Sequence, residues 1–376
     1  MSLDDRRERW RLVLGESADP DKTIDLGEAE ASIDRALGAL YDPDRDGGLA
    51  AARPRVARWL GDIRRYFPAS VVQILQRDAL DRLGLKKMLF EPELLASIEP
   101  DLHLAATLLE LKGQIPPQTR ETARNVVRRV VDEILARLQA PLLGAVRGAL
   151  RRTRKTPRPR WNEIDWPATI RRNLIHYRPE RRAIVPRSAV GFRREQSLAH
   201  RLILAVDQSA SMASSVVYAG VLASALALLP NLSTHLVLFD TRVVDLSDRL
   251  YDPVDLLFGV HLGGGTDIER ALAYCQTLVE EPLRSTIILI SDLDEGGSAS
   301  RLLERVQRIV ASGTRMVVLL ALSDEGRPVF DHDVAAMFAE LGIAAFGCSP
   351  DRFPELLASV LGGADPSSWA VEAAPR

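Results

Sequence analysis

The sequence predicts an α/β chain: an all-α N-terminal domain, then a C-terminal domain built on a doubly wound, mainly parallel sheet of Rossmann-like form. Two patterns carry that expectation. Up to about residue 150, apolar residues recur at helical spacing, as in Leu104, Leu108, Leu109 and Leu111 or Val126, Val127, Val130, Val131 and Ile134. After His200 they gather into short, fully apolar runs separated by helical stretches. Strands buried on both faces read this way, and their alternation with helices implies parallel pairing covered on both sides.

Within the first 150 residues, helix boundaries are expected at Pro20, at the Asp42 to Gly48 turn, at Pro54 and at the Pro116-Pro117 pair. Proline and clustered Asp and Gly residues stop or start helices. Residues 151–197 form a basic linker. Arg151 to Pro159 has too little apolar content to fold alone, one short helix follows Pro167, and Trp161 and Trp166 are expected to pin the segment onto a domain. Residues 198–363 form the α/β domain. Its strands are expected at Leu202 to Val206, His235 to Phe239, Val243 to Leu246, Thr286 to Ile290, Met316 to Leu322 and Ile343 to Phe346. Its helices are expected at Met212 to Leu229, Ile268 to Val279, Ala299 to Ala311, Asp333 to Leu341 and Phe353 to Leu361. Residues 364–376 are a C-terminal tail.

The composition, 27% charged and 46% hydrophobic over 376 residues, is that of a globular chain with room for two cores. The net charge of −2 conceals an asymmetry: residues 147–195 hold 15 Arg or Lys against 4 Asp or Glu, whereas residues 202–363 hold 10 against 21. The two cysteines, Cys275 and Cys348, form no metal-ligand or disulfide pattern. The charged N-terminus lacks the apolar core of a signal peptide, and the longest apolar stretch, Val216 to Leu229, is too short to span about 30 Å of hydrocarbon. These features lead to the expectation of a cytoplasmic protein without membrane contact.

In parallel sheets, ligands bind beyond the carboxyl ends of the strands, where the direction of winding switches. The run Leu202 to Val206 ends in Asp207-Gln208-Ser209-Ala210-Ser211, which sets a carboxylate and two hydroxyls at alternating positions. Gly263-Gly264-Gly265-Thr266-Asp267 opens a later helix, and Ser291-Asp292-Leu293-Asp294-Glu295 follows another apolar strand. A parallel sheet brings all three loops to one edge. Hard divalent cations take oxygen ligands, and Mg2+ takes six while retaining several waters. Asp207, Ser209, Ser211, Thr266 and Asp292 supply such a set for Mg2+, or for Mn2+ or Ca2+, and leave a position open for an acidic side chain. The alternative, that Asp207 and Ser209 cap the following helix, accounts for one loop but not for Thr266 and Asp292.

This order of motifs resembles the metal-ion-dependent adhesion site of the von Willebrand factor A (VWA) family: DxSxS, a distant Thr, a distant Asp. The resemblance implies that Ser209, Ser211 and Thr266 touch the ion, with Asp207 and Asp292 acting mostly through water. Many family members have glycine after the last aspartate, where this chain has Leu293-Asp294-Glu295. With Ile164-Asp165-Trp166-Pro167-Ala168-Thr169-Ile170-Arg171 and Leu109 to Pro117 added, the chain resembles bacterial CoxE-like proteins. That likeness implies a non-enzymatic adaptor or chaperone-like subunit that works on a protein client with a MoxR-type AAA+ ATPase. The chain has no GxxxxGK[ST] loop, so such a partner would supply ATP hydrolysis.

Three rivals stand beside this expectation. Arg151, Arg152, Arg154, Lys155, Arg158 and Arg160 near Trp161 and Trp166 suit RNA, through phosphate neutralisation and base stacking. A hydrolase would need a base, and His261 is the histidine closest to a site loop, while His103, His176, His200, His235 and His332 show no ligand spacing. A metal-chelatase subunit would also pair such a domain with an AAA+ motor, but nothing in the chain suggests a porphyrin site.

Overall fold

A computed structural model describes residues 10–12, 19, 23–24, 26–41, 53–82, 89–150, 154–156, 161, 164–178, 183–184, 186–193, 200–229, 231–260, 263–322 and 329–363. The chain divides into two compact units, Met1–Glu133 and Ile134–Arg376. Pro20, the Asp42 to Gly48 turn, His261 and the tail 364–376 lie outside the described residues.

The first unit is helical. It comprises α1 (Glu28–Tyr41), α2 (Arg53–Tyr66), α3 (Ala69–Arg82), α4 (Pro92–Ser97), α5 (Leu102–Glu110) and the start of α6 (Pro117–Leu150). Prolines act where expected: Pro54 lies in the first turn of α2 and Pro117 begins α6, positions whose N–H groups have no helical acceptor. Asp101 caps α5 by accepting from Leu104 N at 2.7 Å. Ile63, Leu95, Leu104, Leu108 and Leu109 are fully buried, and Trp59 joins them with its indole N–H satisfied by Ala36 O at 2.9 Å.

In the second unit, β1 (Arg154–Thr156) pairs antiparallel with β4 (Gly191–Arg193), and β2 (Tyr177–Arg178) pairs with β3 (Ala183–Ile184). Between them lies α7 (Trp166–Asn173). The tryptophans do not anchor this segment: Trp161 is 78% exposed and Trp166 40%, edge to face with each other at 5.1 Å. Polar groups hold it instead. Asn173, 1% exposed, donates to Thr169 O and Ser188 O at 2.7 Å and accepts from Arg187 N at 2.9 Å. Thr169 Oγ1 bridges the N and O of Val190 at 3.0 Å each. A buried amide that satisfies several backbone groups fixes a loop more specifically than aromatic burial does.

The α/β core follows as β5 (His200–Asp207), α8 (Ala213–Ala227), β6 (Leu232–Phe239), β7 (Val243–Asp245), α9 (Pro253–Gly259), α10 (Ile268–Thr277), β8 (Ser285–Ile290), α11 (Ala299–Ala311), β9 (Arg315–Leu322), α12 (His332–Glu340), β10 (Ala345–Cys348) and α13 (Phe353–Leu361). The sheet order is β10-β9-β8-β5-β6-β7, parallel except for β7. The expected strands and helices are present, with β10 two residues later than Ile343 to Phe346, and α9, seven residues too short to show a period, is an addition. Ile203, Ala205, Val237, Phe239, Ile287 and Leu289 pack beneath α10, α11 and α12. On α8, Ala213 and every residue from Ser215 to Leu226 are buried, which explains its apolar content on all sides. Gly220 lets α9 approach it: a Cβ there would lie 3.1 Å from Leu256 and 3.2 Å from Leu257. Among the described residues no helix is long and apolar enough to cross a membrane.

Candidate metal centre

β5 is the central strand from which the chain winds in both directions, to β6 on one side and to β8 on the other. Its last residue, Asp207, pairs with Phe239, and the preceding Val206 pairs with both Leu238 and Ile290. Parallel register therefore sets the loops after β5 and β8 side by side. The winding switch between them leaves the crevice that such sheets use for ligands.

Four of the five expected residues are linked by hydrogen bonds, three of them side chain to side chain and Asp207 through the Ser209 backbone N–H. Asp207 is completely buried; its Oδ1 accepts from Ser209 N at 2.8 Å and its Oδ2 from Ser291 Oγ at 2.9 Å. Ser209 Oγ lies 3.2 Å from Ser211 Oγ, which donates to Asp292 Oδ2 at 2.7 Å. Thr266, 8% exposed, has no hydrogen bond from its side chain to these four among the described residues, but its loop is stitched among them. Gly263 N donates to Gln208 O at 2.8 Å, Asp267 N to Asp240 O at 3.0 Å, and Gly296 N to Thr266 O at 2.8 Å. The last approach requires glycine, because a Cβ on Gly296 would sit 2.8 Å from Thr266 O.

The alternative role for Asp207 and Ser209 as helix caps is not seen. The N-cap of α8 is Met212, with no side-chain cap. Asp267 is the N-cap of α10, accepting from Arg270 N at 2.9 Å. Glu295 is half-buried and does not cap α11. Its Oε2 accepts from Ile268 N at 2.7 Å and its Oε1 from Gly297 N at 3.1 Å, which clasps the start of α10 to the Asp292 loop. Asp294 is exposed. Leu293, where many VWA members have glycine, adopts a left-handed φ of 64° and is fully buried in the core. Ser291, Glu295 and the left-handed Leu293 were not signalled by the sequence, because each depends on a partner or packing contact remote along the chain.

The electrostatics set this cluster apart. Burial pushes the Asp207 carboxyl above its usual range and the neighbouring Asp292 charge adds to this, while the bonds from Ser209 and Ser291 oppose it. Burial likewise raises Glu295, opposed by the Ile268 N–H and reinforced by Asp267. Among the described residues no cationic side chain forms an ion pair with Asp207 or Asp292. A buried carboxylate facing a second one is costly unless positive charge enters. Among the described residues, no group of three or more His, Cys, Asp or Glu is placed to hold a metal ion. A cation here would therefore rely on hydroxyl oxygens together with the two carboxylates, a donor set that suits a hard ion. His261, the candidate base, lies outside the described residues, as does the basic run from Arg151 to Arg160 apart from the backbone of 154–156.

A family model described as "VWA domain containing CoxE-like protein" matches residues 135–357. The uncharacterized protein YehP of Escherichia coli (strain K12) is 37% identical over 365 residues, covering 94% of this chain and 96% of that protein. Solved structures are more distant. BatB from Bacteroides thetaiotaomicron is 17% identical with a TM-score of 0.33, over 46% of this chain and all of that one. A von Willebrand factor type A protein from Catenulispora acidiphila is 13% identical with a TM-score of 0.31, over 44% of this chain and 42% of that one.

Proposed function

The chain belongs to the CoxE-like proteins that contain a VWA domain, and from that premise we propose that Asp207, Ser209, Ser211, Thr266 and Asp292 form a metal-dependent docking site for protein partners. The observation that carries this proposal is the pair Asp207 and Asp292, without a cationic partner among the described residues, beside the Ser209 and Ser211 hydroxyls. A bound Mg2+, or Mn2+ or Ca2+, would supply the missing positive charge and a Lewis-acidic position for an incoming carboxylate. Ser209, Ser211 and Thr266 offer neutral oxygens to it directly. Asp207 has both oxygens engaged, so it orients the Ser209 loop and would add negative charge beside the ion. An acidic side chain from the partner would complete the coordination.

The protein acts as a non-enzymatic adaptor or chaperone-like subunit. A MoxR-type AAA+ ATPase supplies the hydrolysis that this chain has no phosphate loop to perform, and the metal site couples that motor to a protein client. A cytoplasmic setting accords with the two free, buried cysteines. Co-purification with the MoxR-type ATPase encoded nearest to it tests the proposal. Recovery is expected to require Mg2+ and to be lost in Asp207→Ala plus Ser209→Ala; recovery indifferent to both chelator and substitution would refute metal-dependent docking.

A further inference from the structure

Helix α7 is amphipathic in the wrong sense for a surface helix. Its inward positions are the polar Thr169 and Asn173, 1% exposed each. Its outward positions are Trp166 and Ile170, one turn apart and 40% and 44% exposed, continued by Leu174 at 57% and Ile175 at 85%. Trp161, 78% exposed, extends the strip by its edge contact with Trp166. Arg171, Arg172 and Arg178 are exposed around it. A contiguous apolar strip with arginine at its rim has the composition of a protein interface.

The same chain carries a surface of opposite charge. Residues 243–259, from β7 to the end of α9, hold the exposed Asp245, Asp248 and Asp255 and the half-buried helix cap Asp252 against Arg249, with Arg242 just before them and Arg270 bonded to Thr241 O at their margin. Tyr251 and Val244 stand among them, 83% and 42% exposed. Both surfaces belong to the same compact unit, and both remain exposed there, so neither covers the other within one copy. Two copies of the α7 face meeting each other would bring surfaces of like charge together. An α7 face meeting an acidic edge pairs unlike charges and buries apolar groups on both sides.

We propose that the α7 face of one copy docks on the β7–α9 edge of a second copy, a head-to-tail contact that generates a ring or an open chain of subunits. It lies outside the metal centre and needs no cation. Sedimentation of the full-length chain across micromolar concentrations, in EDTA, tests it. The expected result is concentration-dependent self-association that weakens with salt. Arg171→Glu with Arg172→Glu, Trp166→Ala with Ile170→Ala, and Asp248→Arg with Asp255→Arg are each expected to weaken it by about tenfold or more. Mixing the glutamate variant with the arginine variant is expected to restore association to within a few-fold, since each contact is then again between unlike charges. A chain that stays monomeric at every concentration overturns the proposal, including the case in which α7 instead binds anionic vesicles or single-stranded poly(U). So does self-association that none of the variants weakens.

Discussion

Two carboxylates on one sheet edge, the half-buried Glu295 and the buried Asp207, differ in what explains them. Both are pushed above the usual carboxylate range by burial. Glu295 satisfies the first N–H of α10 and that of Gly297, so helix-end hydrogen bonding and a favourable dipole account for it. Asp207 is buried more completely, receives Ser209 N and Ser291 Oγ, meets no helix end and faces Asp292. The first is explained by folding; the second leaves a negative charge that no cationic side chain pairs with among the described residues. Residues of the first kind should govern metal-free stability. Those of the second kind should govern what a cation adds.

The largest effect is expected at Leu293. Replacing it by Ala removes a fully buried side chain while keeping the left-handed backbone, and should cost about 2–5 kcal/mol in denaturant unfolding. Asp207→Asn should behave in the opposite way. Without metal its stability is expected to equal or exceed that of the wild type, because a repelled, desolvated charge is gone. With Mg2+ at a hundredfold over the dissociation constant, the wild type should gain about 2.7 kcal/mol and the variant nothing. Glu295→Gln removes one acceptor from the start of α10 and should cost about 1–3 kcal/mol without metal, leaving most of the Mg2+ increment in place. Equal losses of that increment in Asp207→Asn and Glu295→Gln would erase the distinction between the two carboxylates.

The effect that is smallest at neutral pH separates the two ends of β5. His200, at the amino end, hydrogen-bonds Thr286 Oγ1 at 3.0 Å, and burial, with Arg315 and Arg284, lowers its pKa to about 4 from 6.5. The unfolded chain then binds a proton that the folded one refuses, so this contribution to stability is complete above about pH 6.5 and is lost as pH falls toward 4. His200→Gln should flatten that part of the metal-free stability profile, measured by urea unfolding, and leave Mg2+ binding unchanged.

How much could be read from the sequence follows the same divide between local and remote causes. Strands such as Leu202 to Val206 were legible because burial on both faces writes an unbroken apolar run, and α8 because it is apolar all round. The meeting of Asp207, Ser209 and Ser211 with Asp292 was legible because parallel topology brings the carboxyl ends of β5 and β8 together whatever the loop lengths, whereas Thr266 follows no parallel strand and its side chain is not bonded to the other four among the described residues. Ser291 and Glu295 were not, since their partners lie 84 and 27 residues away and polar side chains carry no periodic signal. Trp161 and Trp166 misled for a related reason. Large aromatics are expected to turn inward, yet Asn173 takes the inward position because it satisfies backbone groups of residues 187 and 188.

The central claim, that the edge of β5 and β8 is completed by a divalent cation, is tested most directly by calorimetric titration of Mg2+ into the full-length chain and into Ser209→Ala with Ser211→Ala. One saturable site is expected in the wild type, with affinity reduced at least about tenfold in the variant, as the loss of hydroxyl ligands or their supporting contacts demands. No heat of binding in the wild type with Mg2+, Mn2+ or Ca2+, or equal affinity in the two proteins, would contradict it.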